Sequence, residues 1–239
     1  YKASDYEKAY QEFGKVPSGS TLKPSALFRQ ARCATNMGKN ELAIKKYNRI
    51  VRNGSKSSIA PISEYNMANL MFDSNDKDAK KHFKKIIKKY PTSDYAIASE
   101  YYLGMIEISN QPKSPKRLAK SQEKAINYFK NYIEKAPDGR FALKSIEEII
   151  KLDKSLSNYD NLLIAKGYYA NGEFEKSKNF LNKTTLAESW SDFAKNEYKL
   201  GNKEKGNYYT ELGLKQHAGS TAQDDVYEVI DNYVASAST

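Results

Sequence analysis

The chain has 239 residues, with 39 Lys and Arg against 29 Asp and Glu, and therefore carries a net charge of +10 at neutral pH. Its single cysteine, Cys33, excludes an intramolecular disulfide and a cysteine-based zinc site, so apolar packing must hold the fold together. No stretch approaches the roughly 18 consecutive apolar residues that a membrane-spanning helix needs, so no transmembrane segment is expected.

From the two ends of the sequence we expect a piece cut from a longer protein. It starts at Tyr1 rather than at methionine, and it stops in ASAST. Its first residues, YKASDYEKAY, lack the basic and then apolar pattern of a signal peptide, so any targeting signal would lie further upstream.

A recurring pattern joins an acidic or polar residue to a small residue and then to an aromatic one helical turn later. It reads DYEKAYQEF, NELAIKKY, DKDAKKHF and SQEKAINYF, and two further copies read GEFEKSKNFL and GNKEKGNYY. Several copies follow one another at a spacing of about 34 residues, which is typical of helical repeats. The small residues that anchor the copies are Ala9, Ala43, Ala79, Ala125, Ser177 and Gly206.

A second set of small residues lies upstream of these anchors, within apolar patterns of helical period. Between the two sets stand Gly38, Asn75, Gly172 and Gly201, four or five residues before an anchor. Such residues end helices, so each unit is predicted to be a helical hairpin. The second set comprises Ala31, Ala68, Gly104, Ala165 and Ala194.

The predicted elements are all helical, because no apolar run of period two competes with the helical pattern. A last helix, DDVYEVIDNYV, is expected to present Val226, Tyr227, Ile230 and Val234 to one side. In chain order we predict a helix at 4–15, hairpins at 24–53, 59–90 and 95–136, a helix at 140–152, and hairpins at 158–183 and 188–216.

These units resemble the tetratricopeptide repeat family. The resemblance covers most of the chain, although Thr210 stands where an aromatic is expected and the third unit carries NQPKSPKRLAK between its helices. It implies one all-α domain over 1–239, a right-handed α-solenoid (superhelix) of about five to six degenerate hairpins. The residues that carry it are Trp190, Ala194, Gly201 and Gly206 in one unit, Ala165, Tyr168, Gly172 and Ser177 in another, and the helix-ending Pro91 and Pro137.

Two basic segments have both a structural and a functional interpretation. The run KKHFKKIIKKYP places its apolar residues on one helix face and six lysines on the other, which favours a solvated outer face over a basic stripe for a charged partner. Nucleic acid is not favoured, since the aromatics point inward. The insertion PKSPKRLAK is either a mobile contact loop or a solubilising loop; its charges are Lys113, Lys116, Arg117 and Lys120.

Nothing in the sequence predicts a catalytic, metal or cofactor site. His82 is expected to pack within a hairpin, and His217 to lie at a helix end where a cation meets the negative dipole terminus. The HExxH, CxxC, P-loop and GxGxxG patterns are all missing. We therefore expect this chain itself not to be an enzyme.

Placing the repeats on the family pattern implies a ligand-binding concave face, formed by the first helix of each hairpin. Tyr, Asn and Lys on such a face suit an extended peptide or a carbohydrate. The alternative is that the tyrosines pack between repeats. The implied ligand-binding residues are Arg32, Asn36, Tyr65, Asn69, Tyr101, Lys166, Tyr169, Lys195 and Tyr198.

Two functions follow as hypotheses. The first is a non-catalytic scaffold whose concave face binds a protein or peptide of acidic character. The second comes from the stretch from RFALKSIEEII to LGLKQHAGS, which looks like the helical arrays of bacterial soluble lytic transglycosylases. That resemblance implies a periplasmic or otherwise extracytoplasmic protein, acting on the peptidoglycan glycan through a catalytic domain beyond Thr239; a cytoplasmic location stays open. Glu188 and Ser189 supply one dipeptide of such a domain, but they fit the start of a repeat helix better.

Overall fold

The computed structural model describes residues 3–53, 57–110, 112–217, 219 and 223–237, and within them the chain forms thirteen α-helices and no strand. The all-α prediction is therefore confirmed, and every predicted helix is present. The helices are α1 (Ala3–Gly14), α2 (Lys23–Asn36), α3 (Asn40–Asn53), α4 (Ala60–Asp73), α5 (Ala79–Lys89), α6 (Asp94–Ser109), α7 (Pro115–Lys135), α8 (Ala142–Leu152), α9 (Asn158–Ala170), α10 (Phe174–Leu181), α11 (Leu186–Lys199), α12 (Lys203–Gln216) and α13 (Gln223–Ala237).

The turns inside four hairpins share one local structure, at the four positions that the sequence pattern marked. Gly38, Gly172 and Gly201 have φ of 73°, 75° and 80°, and Asn75 has φ of 56°. This left-handed conformation strains most side chains but suits Gly and Asn. The residue after each turn donates its N–H to a carbonyl five residues back, as Lys39 does to Ala34 at 2.9 Å, which closes the helix end.

The contacts divide the chain into two compact units, 1–125 and 126–239, with the boundary inside α7. In unit 1, consecutive helices from α1 to α6 pack on one another in chain order. Its first core cluster is built from small and large residues in alternation, with Ala31, Ala34 and Ala43 fully buried against Tyr47 and Ile50. The small residues let the helix backbones approach closely. That 1–239 forms one solenoid stays a prediction.

In unit 2, α9 packs on α10, α11 on α12, and α13 on both α11 and α12. One cluster joins Ala165 of α9 to Leu181 and Phe193, and a second joins Trp190 and Ala194 of α11 to α13. The predicted small residues thus lie at the helix contacts, as expected for hairpin packing.

The prediction of which residues form the apolar face of α13 was wrong in part. Val229 is the fully buried residue, whereas Tyr227 and Val234 are each 56% exposed. Val226, which packs beside Val229, belongs to the same stripe at a spacing of three residues. Tyr227 and Val234 are offset from that stripe by about one residue, or about 100° around the helix, and therefore face away from it.

The insertion in the third unit was predicted as a loop, but most of it is helical. Helix α7 begins at Pro115, so Lys116, Arg117 and Lys120 lie on a helix of 21 residues. Proline fits the first helical turn, because its missing N–H is not needed there and its φ is already helical. Only the short stretch before Pro115 connects the two helices.

Buried carboxylates on first helices are paired with lysines of neighbouring helices. Glu64 of α4 is fully buried and lies 2.6 Å from Lys85 Nζ and 3.2 Å from His82 Nδ1, both of α5. Glu107 of α6, also buried, lies 2.7 Å from Lys80 Nζ. The lysine face of α5 is therefore only partly a solvated face, and His82 packs within its hairpin as predicted.

Candidate functional site

The nine implied ligand-binding residues all lie on first helices of hairpins, and they are divided between the two units. Three of them meet at a cavity in unit 1, and three others meet around a buried aspartate in unit 2. Tyr65, Tyr101 and Tyr198 are placed separately. Arg32 and Asn36 lie on α2, Tyr65 and Asn69 on α4, Tyr101 on α6, Lys166 and Tyr169 on α9, and Lys195 and Tyr198 on α11.

The unit 1 cavity has a volume of about 270 Å³ and lies between α2 and α4, with Tyr47 of α3 at its wall. Arg32 and Asn36 are exposed at its edge, one helical turn apart. The walls are rich in side-chain amides, and we call this space the amide cavity. It is lined by Arg32, Thr35, Asn36, Tyr47, Asn66, Asn69 and Leu70.

Hydrogen bonds inside the amide cavity leave capacity for a ligand. Asn36 donates to the Arg32 carbonyl at 3.0 Å, and Asn66 donates to the Tyr47 hydroxyl at 3.4 Å. The Oδ1 atom of Asn69 is buried and accepts no hydrogen bond from the described residues. A buried acceptor without a donor is costly, so a ligand N–H placed against Asn69 would recover that free energy.

Burial raises the pKa of the Tyr47 hydroxyl, in spite of its hydrogen bonds with Asn66 and Thr35 and the nearby Arg32 charge. The phenol is therefore neutral at physiological pH and acts as a hydrogen-bonding group. Amides, a neutral phenol and one guanidinium can bind a peptide backbone and a carboxylate. They supply neither a nucleophile nor a base, so the arrangement suits binding.

Tyr65 and Tyr101 are each only 8% exposed. The Tyr65 ring lies edge-on to Phe83 at 6.3 Å and packs against Tyr95 at 5.4 Å, so it fills space between helices. Tyr101 packs on Tyr102 at 5.5 Å. These placements agree with the packing alternative, and a ligand-binding role for the two tyrosines stays a prediction.

In unit 2, Asp192 of α11 is buried and has two lysines near it. Lys166 Nζ lies 3.6 Å from Asp192 Oδ2, and Lys195 Nζ lies 3.6 Å from Asp192 Oδ1. The Tyr169 ring centroid is 5.6 Å from Lys195 Nζ, a cation–π distance. We call Lys166, Tyr169, Asp192 and Lys195 the lysine cluster. Lys166 is the more exposed of its cations, at 44% against 8% for Lys195.

Tyr198 is outside the lysine cluster and serves the hairpin itself. Its hydroxyl donates to Asn207 Oδ1 at 3.0 Å, and its ring covers Gly206, where a Cβ would come within 2.4 Å of the ring. The small residue predicted at position 206 is thus required by Tyr198.

Sequence reasoning missed five residues that complete the two sites. Thr35, Tyr47, Asn66 and Leu70 line the amide cavity, and Asp192 is the centre of the lysine cluster. Asn66 lies three residues before Asn69 on one helix face, which is a detectable signal. Nothing in the sequence marks Asp192 as buried, because two further acidic residues, Glu188 and Glu197, stand on the same helix.

Across the described ranges no group of three or more His, Cys, Asp or Glu side chains is arranged to hold a metal ion. Over the same ranges, no helix combines the length and apolarity that crossing a membrane requires.

Comparison with known proteins identifies repeats in unit 1. The tetratricopeptide repeat family matches residues 25–54 and 63–93, which correspond to the hairpins α2–α3 and α4–α5. No curated protein matches the sequence. Repeats of this family are typically non-catalytic interaction folds.

Two solved structures are among those to which the chain is similar, both at low sequence identity. A tetratricopeptide repeat protein from Parabacteroides merdae is 13% identical, with 97% of this chain and 91% of that chain covered and a TM-score of 0.40. The C-terminal part of a TPR repeat-containing protein from Cytophaga hutchinsonii is 15% identical, with 95% and 94% covered and a TM-score of 0.39. The family match and the paired helices together identify 25–54 and 63–93 as two tetratricopeptide repeats of unit 1.

Proposed function

We propose that this chain is a protein-interaction module for acidic partners, and that the first helices of the hairpins in unit 1 bind an extended, acidic peptide segment. The observation that carries the proposal is the amide cavity, where the unpaired Oδ1 of Asn69 lies between the first two repeats and Arg32 lies at the edge. In this proposal, Asn36, Asn66 and Asn69 bind the peptide main chain and Arg32 binds a carboxylate.

The charge distribution supports an acidic partner. Lysines pair with three buried acids, so each of these acids cancels the charge of one lysine. The buried acids are Glu64, Glu107 and Asp192. The net charge of +10 therefore lies largely on exposed lysines and arginines, which attract acidic ligands. In unit 2, Lys166 is the proposed contact for such a ligand.

A peptide-display library selected on the full chain tests the proposal. We expect the selected peptides to be enriched in Asp and Glu. Replacing Arg32→Gln should weaken their binding roughly 10- to 100-fold, the range of a hydrogen bond to a charged group. Arg29→Gln is the matched control, because Arg29 is exposed on the same helix but does not line the amide cavity.

Two results would count against this function: selected peptides without acidic bias, or equal losses for the two arginine variants. The lytic transglycosylase alternative and the extracytoplasmic location stay predictions, which neither the fold nor the comparisons test. The sequence that follows Thr239 in the gene would decide between the two hypotheses.

A further inference from the structure

Helix α13 packs on α11 and α12 through a small apolar contact. Val229 is fully buried against Trp190 and Ala194, with Val226 beside it. Among the α13 side chains that the structure describes, 226–235, Val229 alone is buried. Helix α11 is different, since its residues 189–197 are all buried.

The polar contacts of α13 bring an acidic residue to the lysine cluster. The Tyr169 hydroxyl donates to Glu228 Oε1 at 3.2 Å, and the same tyrosine ring lies over Lys195. The Tyr233 hydroxyl donates to Glu211 of α12 at 2.9 Å. A carboxylate of the chain itself thus lies next to the residues that are proposed to receive a carboxylate of a partner.

The sequence of α13 has the composition of such a partner. The segment QDDVYEVIDNYVASA contains four acidic residues and no basic one, and it has an apolar stripe through Val226 and Val229. An isolated helix of 15 residues is marginally stable in water, so α13 depends on its packing against α11 and α12. A helix with one buried side chain opens more easily than a helix buried along most of its length.

We propose that α13 is a detachable acidic helix that occupies the partner-binding surface of unit 2, and that an acidic amphipathic helix of a partner replaces it. The surface comprises Trp190 and Ala194 with the lysine cluster beside them. The inference rests on the proposed function for the acidic character of the partner. A partner that binds only the chains in which α13 is detached has an apparent affinity equal to its intrinsic affinity multiplied by the fraction of such chains.

A labelled peptide of residues 223–237 measures whether an added helix can bind in place of the chain's own α13. We expect it to bind the full-length Val229→Asp chain at least 10-fold more tightly than the unchanged chain, because a buried aspartate unseats the resident helix. Val234→Asp is the matched control, since it adds the same charge to an exposed position of the same helix. A peptide carrying Glu228→Gln should bind the Val229→Asp chain more weakly than the unchanged peptide does.

Hydrogen exchange on the unchanged chain provides a second measurement, which does not depend on how Val229→Asp folds. We expect the amides of 226–234 to exchange at least 10-fold faster than those of 189–197. Equal exchange in the two helices would overturn the proposal, as would equal peptide binding by all three chains in a folded state confirmed by circular dichroism. Neither measurement uses a selected peptide, so this inference and the proposed function can fail separately.

Discussion

Lys85 Nζ lies 2.6 Å from Oε1 of Glu64, a carboxylate that is completely buried in α4, so the hairpin of α4 and α5 is joined by a charged contact as well as by apolar packing. His82 reaches the same oxygen at 3.2 Å. A buried carboxylate is tolerated only when cations or donors compensate for its lost hydration.

Lys85→Met should destabilise the chain by about 1–3 kcal/mol, because it leaves Glu64 with only His82. The loss is smaller than the roughly 3–5 kcal/mol of a fully buried pair, since Lys85 itself is 44% exposed. Lys84→Met, an exposed lysine on the same helix, should have little effect. Urea unfolding of the two variants measures the difference, and equal midpoints would show that the Glu64 contact adds no stability.

Stability should fall as the pH decreases below about 4.5, the ordinary carboxyl value for Glu64 and Glu107. Burial raises the pKa of Glu64, but the hydrogen bonds and charges of His82 and Lys85 outweigh it, so its pKa is lowered. The pKa of Glu107 is lowered in the same way, against its burial, by Lys80 and Ser121.

The unfolded chain therefore takes up protons first, and the stability present above pH 4.5 is lost as the pH falls through the lower folded values. Urea unfolding between pH 3 and 7 measures this dependence. Replacing Glu64→Gln should flatten it, and an unchanged slope in that variant would contradict the role given to Glu64.

Gly213→Ala should destabilise unit 2, although helix propensity alone predicts a gain of about 1 kcal/mol in α12. A Cβ at this position would come within 2.1 Å of the buried Trp190 ring. Overpacking of this kind typically costs about 1–3 kcal/mol, so the clash outweighs the propensity. Trp190 fluorescence follows the transition directly. Gly19→Ala, which meets no atom within 4 Å, is the control.

Ala165→Leu should cost about 1–3 kcal/mol, because Ala165 is fully buried between Leu181 and Phe193. Ala170→Leu introduces the same side chain at an exposed position of the same helix and should be nearly neutral. Thermal melts of both variants measure the contrast. Similar melting temperatures would mean that α9 and α10 do not pack through Ala165.

Asn69→Leu should separate binding from stability. It removes a buried acceptor that has no donor, so the free energy of unfolding should stay the same or rise by about 1 kcal/mol. Binding of the selected acidic peptides should weaken, because the main-chain contact is lost. Urea unfolding and peptide titration of one variant give both numbers, and a loss of stability together with binding would favour a purely structural role for Asn69.

The helices and their turns were predictable because local rules determine them. A left-handed turn needs Gly or Asn, which marked Gly38, Asn75 and Gly172, and a close helix contact needs a small residue, which marked Ala31 and Ala165. These requirements act over a few residues, so they leave a signal in the sequence.

The pairings between helices were not predictable from those rules. Many lysines of α5 look alike in the sequence, and only the packing of α4 selects Lys85 as the partner of Glu64. The same applies to Asp192, whose burial is decided by neighbouring helices. Of the implied ligand-binding residues, the packing alternative fits Tyr65 best, because rings of α5 and α6 pack against it. Tyr101 is also buried, and its ring packs on Tyr102 of the same helix.

Arrays of similar hairpins can dock in the wrong order, because each first helix offers its neighbours much the same small and apolar surface. Here several junctions carry their own cation and acid: Lys80 meets Glu107, and Lys178 meets Glu197. A hairpin docked on the wrong neighbour would bury a carboxylate with no cation opposite it, which is far more costly than an imperfect apolar fit. The order of charges along the chain therefore favours the native neighbour of each hairpin over the other hairpins.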